Sequence, residues 1–113
     1  MRIVKNKITL TELKEMARAM FGDLVKAVVD VKREIMAIGG ELHSDEEAAL
    51  LADGSKQENL WGINIYPDVP GTDWIEIDSV INIRPSQGNR SRGIDNPEIR
   101  KKVIEIVCNL VER

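Results

Sequence analysis

The chain has 113 residues, 42% hydrophobic and 31% charged, with 16 basic against 19 acidic side chains and a formal net charge of −3. A lone Cys108 excludes a disulfide framework or cysteine-rich zinc module, and a lone His43 excludes a multi-histidine metal site within one chain. No apolar run approaches the ~20 residues of a membrane span; the acidic balance argues against a general nucleic-acid binder, and residues 1–5 lack an apolar signal region, so a cytoplasmic location is expected.

At this length an ordinary apolar core suffices, burying about 65% of the surface an unfolded chain exposes. With no linker, repeat or low-complexity tract, residues 1–113 read as a single domain. Thr9 followed by Glu12 fits a capping box, and Leu13, Met16, Ala17 and Met20 then recur at helical spacing until Gly22. Residues 24–40 are ambiguous. Val25, Ala27, Val29 and Val31 alternate as a strand does, and Ile35-Met36-Ala37-Ile38 returns after the polar turn Lys32-Arg33-Glu34. Asp23, Lys26, Asp30 and Arg33 also share a helical face, so a helix over 23–38 competes; β-branched enrichment and the Gly39-Gly40 ending favour the hairpin. Ser44 as a cap with Glu47 as its box partner predicts a short helix over 45–52, stopped by Asp53-Gly54.

From 60 to 66 the period becomes two: Trp61, Ile63 and Ile65 share a core face, while Gly62, Asn64 and Tyr66 share the other. After the loop 68–73, a second run places Ile75, Ile77, Ile81 and Ile83 opposite Glu76, Asp78, Val80 and Asn82, which predicts a long strand over 75–83 and a hairpin. Trp74 falls by parity with Glu76 and Asp78, and an indole on a polar face points to a partner. Asp95-Asn96-Pro97-Glu98 opens a final helix with Ile99, Val103, Ile106, Val107 and Leu110 on one face; Cys108 beside that stripe is expected to be a buried small hydrophobe. The elements sum to an α+β fold in the order α-β-β-α-β-β-α, a two-layer α/β sandwich with a mostly antiparallel four-stranded sheet.

The strings Ile38-Gly39-Gly40-Glu41-Leu42-His43, Gly54-Ser55, Leu60-Trp61-Gly62-Ile63-Asn64 and 81–92 carry a resemblance. By them the chain resembles a family of short prokaryotic proteins catalogued only as a domain of unknown function. The resemblance runs nearly the full length and implies a standalone single domain. It brings no activity, substrate, cofactor or functional residue.

Function must therefore be sought in the residues. Within 84–92 stand Arg84, Ser86, Gln87, Asn89, Arg90, Ser91 and Arg92, and no acidic side chain occurs between Ser79 and Ile94. Arginine forks match phosphate or carboxylate oxygens, and Gly88 lets backbone N–H groups turn toward an anion, so Arg84, Ser86, Gln87, Asn89, Arg90 and Arg92 form a candidate site for a phosphate-bearing small molecule. The bland alternative is a solvated loop whose arginines pair with the acidic segment 41–58. Neither standard nucleotide-binding glycine motif is present, and no aromatic side chain interleaves with the arginines, which disfavours RNA.

His43 flanked by Glu41 and Asp45 is a second candidate, as a metal-ligand group or as a general base oriented by Glu41 or Asp78. If extended, this stretch puts Glu41 and His43 on one side; against it, Asp45, Glu46 and Glu47 also suit the first turn of a helix, where acids offset the dipole. Asn64, Glu76, Asp78 and Asn82 would line an open polar sheet face that Arg84 continues. Three readings follow: an anion-binding module first, a homodimer through the sheet face or an edge strand second, and a small hydrolase-type enzyme third. No resident cofactor is expected, and no serine-hydrolase elbow surrounds Ser79 or Ser91.

Overall fold

The computed structural model describes residues 1–113. A short strand β1 (Arg2–Val4) and a two-residue β2 (Ile8–Thr9) precede helix α1 (Leu10–Ala19). The capping box forms as its residues predict: the Glu12 N–H donates to Thr9 Oγ1 at 3.1 Å, and the Thr9 N–H donates to Glu12 Oε2 at 2.8 Å. Gly22, at φ +95°, turns the chain back. The ambiguous segment is the hairpin, β3 (Val25–Asp30) and β4 (Ile35–Ile38), because its apolar side chains must serve two buried faces at once and a helix offers one stripe. Helix α2 (His43–Ala52), β5 (Leu60–Ile65), β6 (Ile75–Glu76), α3 (Pro97–Leu110) and β7 (Val111–Glu112) complete the order.

Five strands form one antiparallel sheet in the order β1-β4-β3-β5-β6, and β2 pairs in parallel with β7. One sheet face packs Val25, Ala27, Val29, Trp61, Ile63 and Ile65 against α1 and α3, which contribute Leu13, Ala17, Val103, Ile106 and Val107. The other face carries a smaller apolar cluster of Val28, Ile35, Ala37 and Leu60, covered by Leu50 of α2 and by Ile81. The fold is thus α+β with helices on both faces of the sheet, and the expected two-layer sandwich on a four-stranded sheet with an open polar face is corrected to three layers around five strands. Cys108 is also corrected: it is exposed on the outer side of α3.

The largest departure is at 75–83. Only Ile75 and Glu76 pair as a strand, against Ile65 and Asn64. Beyond them the Ser79 hydroxyl accepts the Ile81 N–H, and residues 80–82 tighten into a 3-10 turn. Side chains then finish the β5 edge. Gly62 donates its N–H to Asn82 Oδ1 at 2.8 Å and accepts Asn82 Nδ2 at 3.0 Å, as a neighbouring strand would bond it. Gly62 is required there, since a Cβ would lie 2.6 Å from Ser79. Asn82 is therefore buried at the strand edge and is no part of a polar surface. Trp74 is corrected as well: it precedes the short strand, so strand parity does not govern it, and it is 3% exposed in the main core.

Helix α2 begins two residues earlier than expected, with Leu42 in the capping position; Ser44 makes no cap bond. Glu46, read from the sequence as a first-turn acid that offsets the helix dipole, is fully buried, and its Oε2 accepts the Gly40 N–H at 3.0 Å. Desolvation pushes its carboxyl up to about 9, so it is neutral at pH 7.

Two outcomes follow. Replacing Asn82 by Ala leaves both Gly62 backbone groups without their partner and should cost about 2–4 kcal/mol in urea unfolding; a loss under about 0.5 kcal/mol would show that water substitutes freely. For Glu46 the folded pKa lies above the unfolded one, so its contribution is fully present below about pH 4.5 and is lost as pH rises toward 9. Glu46→Gln should therefore gain stability relative to wild type from pH 5 to 8, by up to about 1.4 kcal/mol per unit. Parallel pH profiles for the two proteins would refute the neutral carboxyl.

Candidate functional site: a cleft beside the second helix

The N-terminus of α2, the face of β3–β5 and the segment 78–92 enclose a cleft of about 540 Å³. Its rim is apolar: Phe21, Leu42 and Val80, exposed by 43%, 56% and 64%, all line it, with Leu24 and Ile81 beside them. Its polar lining comes from Lys26, His43, Asn64, Asp78 and Arg92, with Ser44 and Ser79. Lys26 stands on β3 opposite Asn64 on β5, on the sheet face away from the main core. It forms no ion pair, and its ammonium lies 5.4 Å from the Phe21 ring centroid.

His43 is the first residue of α2 and is 9% exposed. Its Nε2 sits 2.7 Å from the Ile63 carbonyl oxygen, which can only accept, so Nε2 carries the proton. Desolvation, reinforced by Lys26, lowers its pKa against the opposing pull of the Ile63 carbonyl, Asp78 and Asn64, so the ring is neutral at pH 7 with its lone pair on Nδ1. Asn64 is 8% exposed. Its Nδ2 donates to Glu76 Oε1 at 2.9 Å and to the Asp78 carbonyl at 3.4 Å, while its buried Oδ1 has no partner. Arg92 donates from Nε to Asp78 Oδ1 at 2.5 Å; this bond holds the Asp78 carboxyl below its usual range, and the two terminal guanidinium nitrogens of Arg92 bond to no protein group.

The loop 84–92 divides. Arg84 turns inward: its guanidinium lies 4.4 Å from the Trp61 ring centroid and donates to the carbonyls of Ile81 at 3.0 Å, Gln57 at 2.7 Å and Leu60. Gln87 accepts from Arg84 and donates to the Glu58 carbonyl at 3.1 Å. The loop thus does meet segment 41–58, through carbonyls rather than carboxylates. Asn89, 4% exposed, donates to the carbonyls of Asn82, Ser91 and Gly93 and accepts the Asp95 N–H. Its amide is fully used, as are the groups of Arg84 that face inward. Ser86 and Arg90 are exposed, and their side chains have no partner. Arg92 alone of the six joins the cleft.

Segment 41–47 is corrected in its conformation. Because α2 starts at His43, Glu41 and Asp45 are both exposed while His43 turns inward, and no three His, Cys, Asp or Glu side chains converge as metal ligands. His43 and Asp78 do line the same cleft. Lys26 and the Phe21 rim are functional candidates that sequence reading did not select. A lone cation among the apolar residues 24–29 was the available signal for Lys26.

The fold and this cleft define a class: a small α+β domain carrying one polar-floored, apolar-rimmed pocket. The chain belongs to the family described as Protein of unknown function (DUF5674), whose model matches residues 2–110. No curated protein and no solved structure matches it.

The division of the loop is testable by stability alone. Arg84→Ala removes the guanidinium from three carbonyls and should cost about 2–4 kcal/mol, charge-assisted bonds being worth about 1.5–3 each but not additive. Arg90→Ala should stay within about 0.5 kcal/mol of wild type. Equal effects in chemical denaturation would contradict the inward position of Arg84.

Proposed function

We propose that the protein is a binding module for a small anionic molecule, carboxylate- or phosphate-bearing with an apolar body, held in the cleft beside α2. The observation that carries this reading is the pairing of two cations with open hydrogen-bonding capacity, Lys26 and the terminal nitrogens of Arg92, in one cavity under an apolar rim. The lining retains a net positive charge, since Asp78 is its only carboxylate and His43 is neutral. Pockets of this kind orient a ligand with a few polar groups and hold it through apolar contact. The phosphate-bearing ligand expected at 84–92 thus moves to the cleft and keeps Arg92. Association through an open sheet face loses its basis, because α2 and residues 77–92 cover that face.

A second reading, proton transfer by His43, rests on one feature: a neutral imidazole whose Nδ1 has no protein partner lines the same cleft as Asp78. It would act on the bound anion as a general base.

A thermal-shift screen of carboxylates, sugar phosphates and nucleotides tests the reading. A true ligand at 100 times its Kd adds about 2.7 kcal/mol of stability. That shift should vanish in Lys26→Ala and weaken in Arg92→Ala, fall with added salt, and persist in Arg90→Ala. A shift abolished by Arg90→Ala but kept in Lys26→Ala would place the site on the exposed loop instead.

A further inference from the structure

His43 is the one histidine of the chain, and it lines the cleft at the start of α2 while only 9% exposed. The groups that face it divide into two sets. Its protonated form is favoured by the Ile63 carbonyl, 2.7 Å from Nε2, by the Asp78 carboxylate and by a side-chain hydrogen bond to Asn64 on β5. Against that form stand burial and the ammonium of Lys26 on β3. The remaining charged neighbours are already engaged or turned away: Arg92 holds Asp78, Glu76 on β6 holds Asn64, and on α2 itself Asp45 is exposed, Glu46 is neutral and Glu47 acts on Arg84.

The two opposing influences differ in kind. Burial is fixed by the fold, whereas the field of Lys26 is offset when an anion sits beside it. Two cations, Lys26 and Arg92, against the single carboxylate Asp78 give the cleft a surplus positive charge, which a bound monoanion cancels and a proton on His43 restores. We propose that the cleft binds its anion together with a proton: when the anion settles on Lys26 and Arg92, His43 takes a proton from solvent and becomes an imidazolium, so that affinity rises as pH falls. The inference rests on the anion-binding reading and adds its regulation. It excludes His43 as a general base toward that anion, because an imidazolium has no lone pair with which to accept.

The coupling is reciprocal, so the factor by which the anion strengthens proton binding is the factor by which the proton strengthens anion binding. Its sign follows from the neighbours. Without the anion, burial and then Lys26 hold the ring below the ordinary imidazole range. With Lys26 offset it titrates higher, and proton uptake on binding is confined to the pH interval between the two midpoints. Below that interval affinity reaches its upper plateau; above it, the lower one.

The test uses the full chain and benzenesulfonate, an anion with an apolar body that stays ionised throughout, in NMR titrations from pH 5 to 8. The upper limit keeps clear of Glu46, whose carboxyl is pushed up to about 9. With a single histidine in the chain, the imidazole signals report His43 alone. The proposal expects saturating sulfonate to raise the midpoint of the ring by about one pH unit and to bind about tenfold tighter at the low end of the range than at the high end. Neutral benzenesulfonamide should leave the midpoint in place. In His43→Gln the affinity for the sulfonate should lose its pH dependence; if that variant does not fold, the wild-type midpoint decides alone. Sulfonate binding that is lost in Lys26→Ala but leaves the wild-type midpoint unmoved overturns the proton coupling and leaves the anion site standing. A pH dependence that survives in His43→Gln assigns the proton to another group and also overturns the inference. Binding at no pH overturns both readings.

Discussion

The architecture around the cleft depends on how one strand edge is satisfied. β5 pairs with β3 along its whole length, but its other edge meets only two residues of β6. The remaining edge groups are claimed by side chains: the Asn82 amide takes both Gly62 groups, and the Arg84 guanidinium takes the Leu60 carbonyl. Buried backbone polar groups need partners, and these are supplied without a strand. Segment 77–92 is thereby freed from the sheet plane and lies over the second face.

Asn89 carries that arrangement one step further. Its amide gathers the carbonyls of Asn82, Ser91 and Gly93, and its oxygen takes the Asp95 N–H just ahead of the Asn96 cap of α3. The same stretch returns through the Ser79 N–H to the Arg92 carbonyl at 2.9 Å. Arg92 is thus anchored at its backbone while its side chain extends to the cleft. A guanidinium held by Asp78 in this way loses less entropy on meeting an anion than one whose side chain has no partner, such as Arg90.

On the opposite wall, α2 is seated by groups whose burial is unfavourable to charge. Glu46 bonds the Gly40 N–H as a neutral acid, and Gly40 admits it because a Cβ there would lie 2.9 Å from Glu46 Cγ. His43, one turn earlier, is neutral for the same reason. Two neutralised titratable groups on one helix face leave Lys26 as the uncompensated charge beneath them. Stability and site are coupled here: the contact that fixes α2 on the sheet also keeps the cleft electropositive.

Local chemistry was readable from the residues: the Thr9–Glu12 box, the hairpin 25–38, the core face of β5 and the apolar stripe of α3 all depend on neighbours a few positions apart. So was the interest of Arg92, His43, Asn64 and Asp78, though not that they share a cavity. The alternation at 75–83 misled because the Ser79 hydroxyl closes a local turn and the Asn82 amide bonds the Gly62 backbone, far away in sequence, and a periodic pattern does not register whether a polar side chain replaces a strand. The burial of Trp74, Asn89 and Glu46, the exposure of Cys108 and the pairing of Lys26 with Arg92 around one cleft were likewise decided in three dimensions. Sequence by itself determined the α+β class and most element positions, because helix caps, strand period and turns are short-range. Tertiary structure decided which polar groups face a ligand and which are spent inside, because that depends on partners brought together from residues 26 to 92.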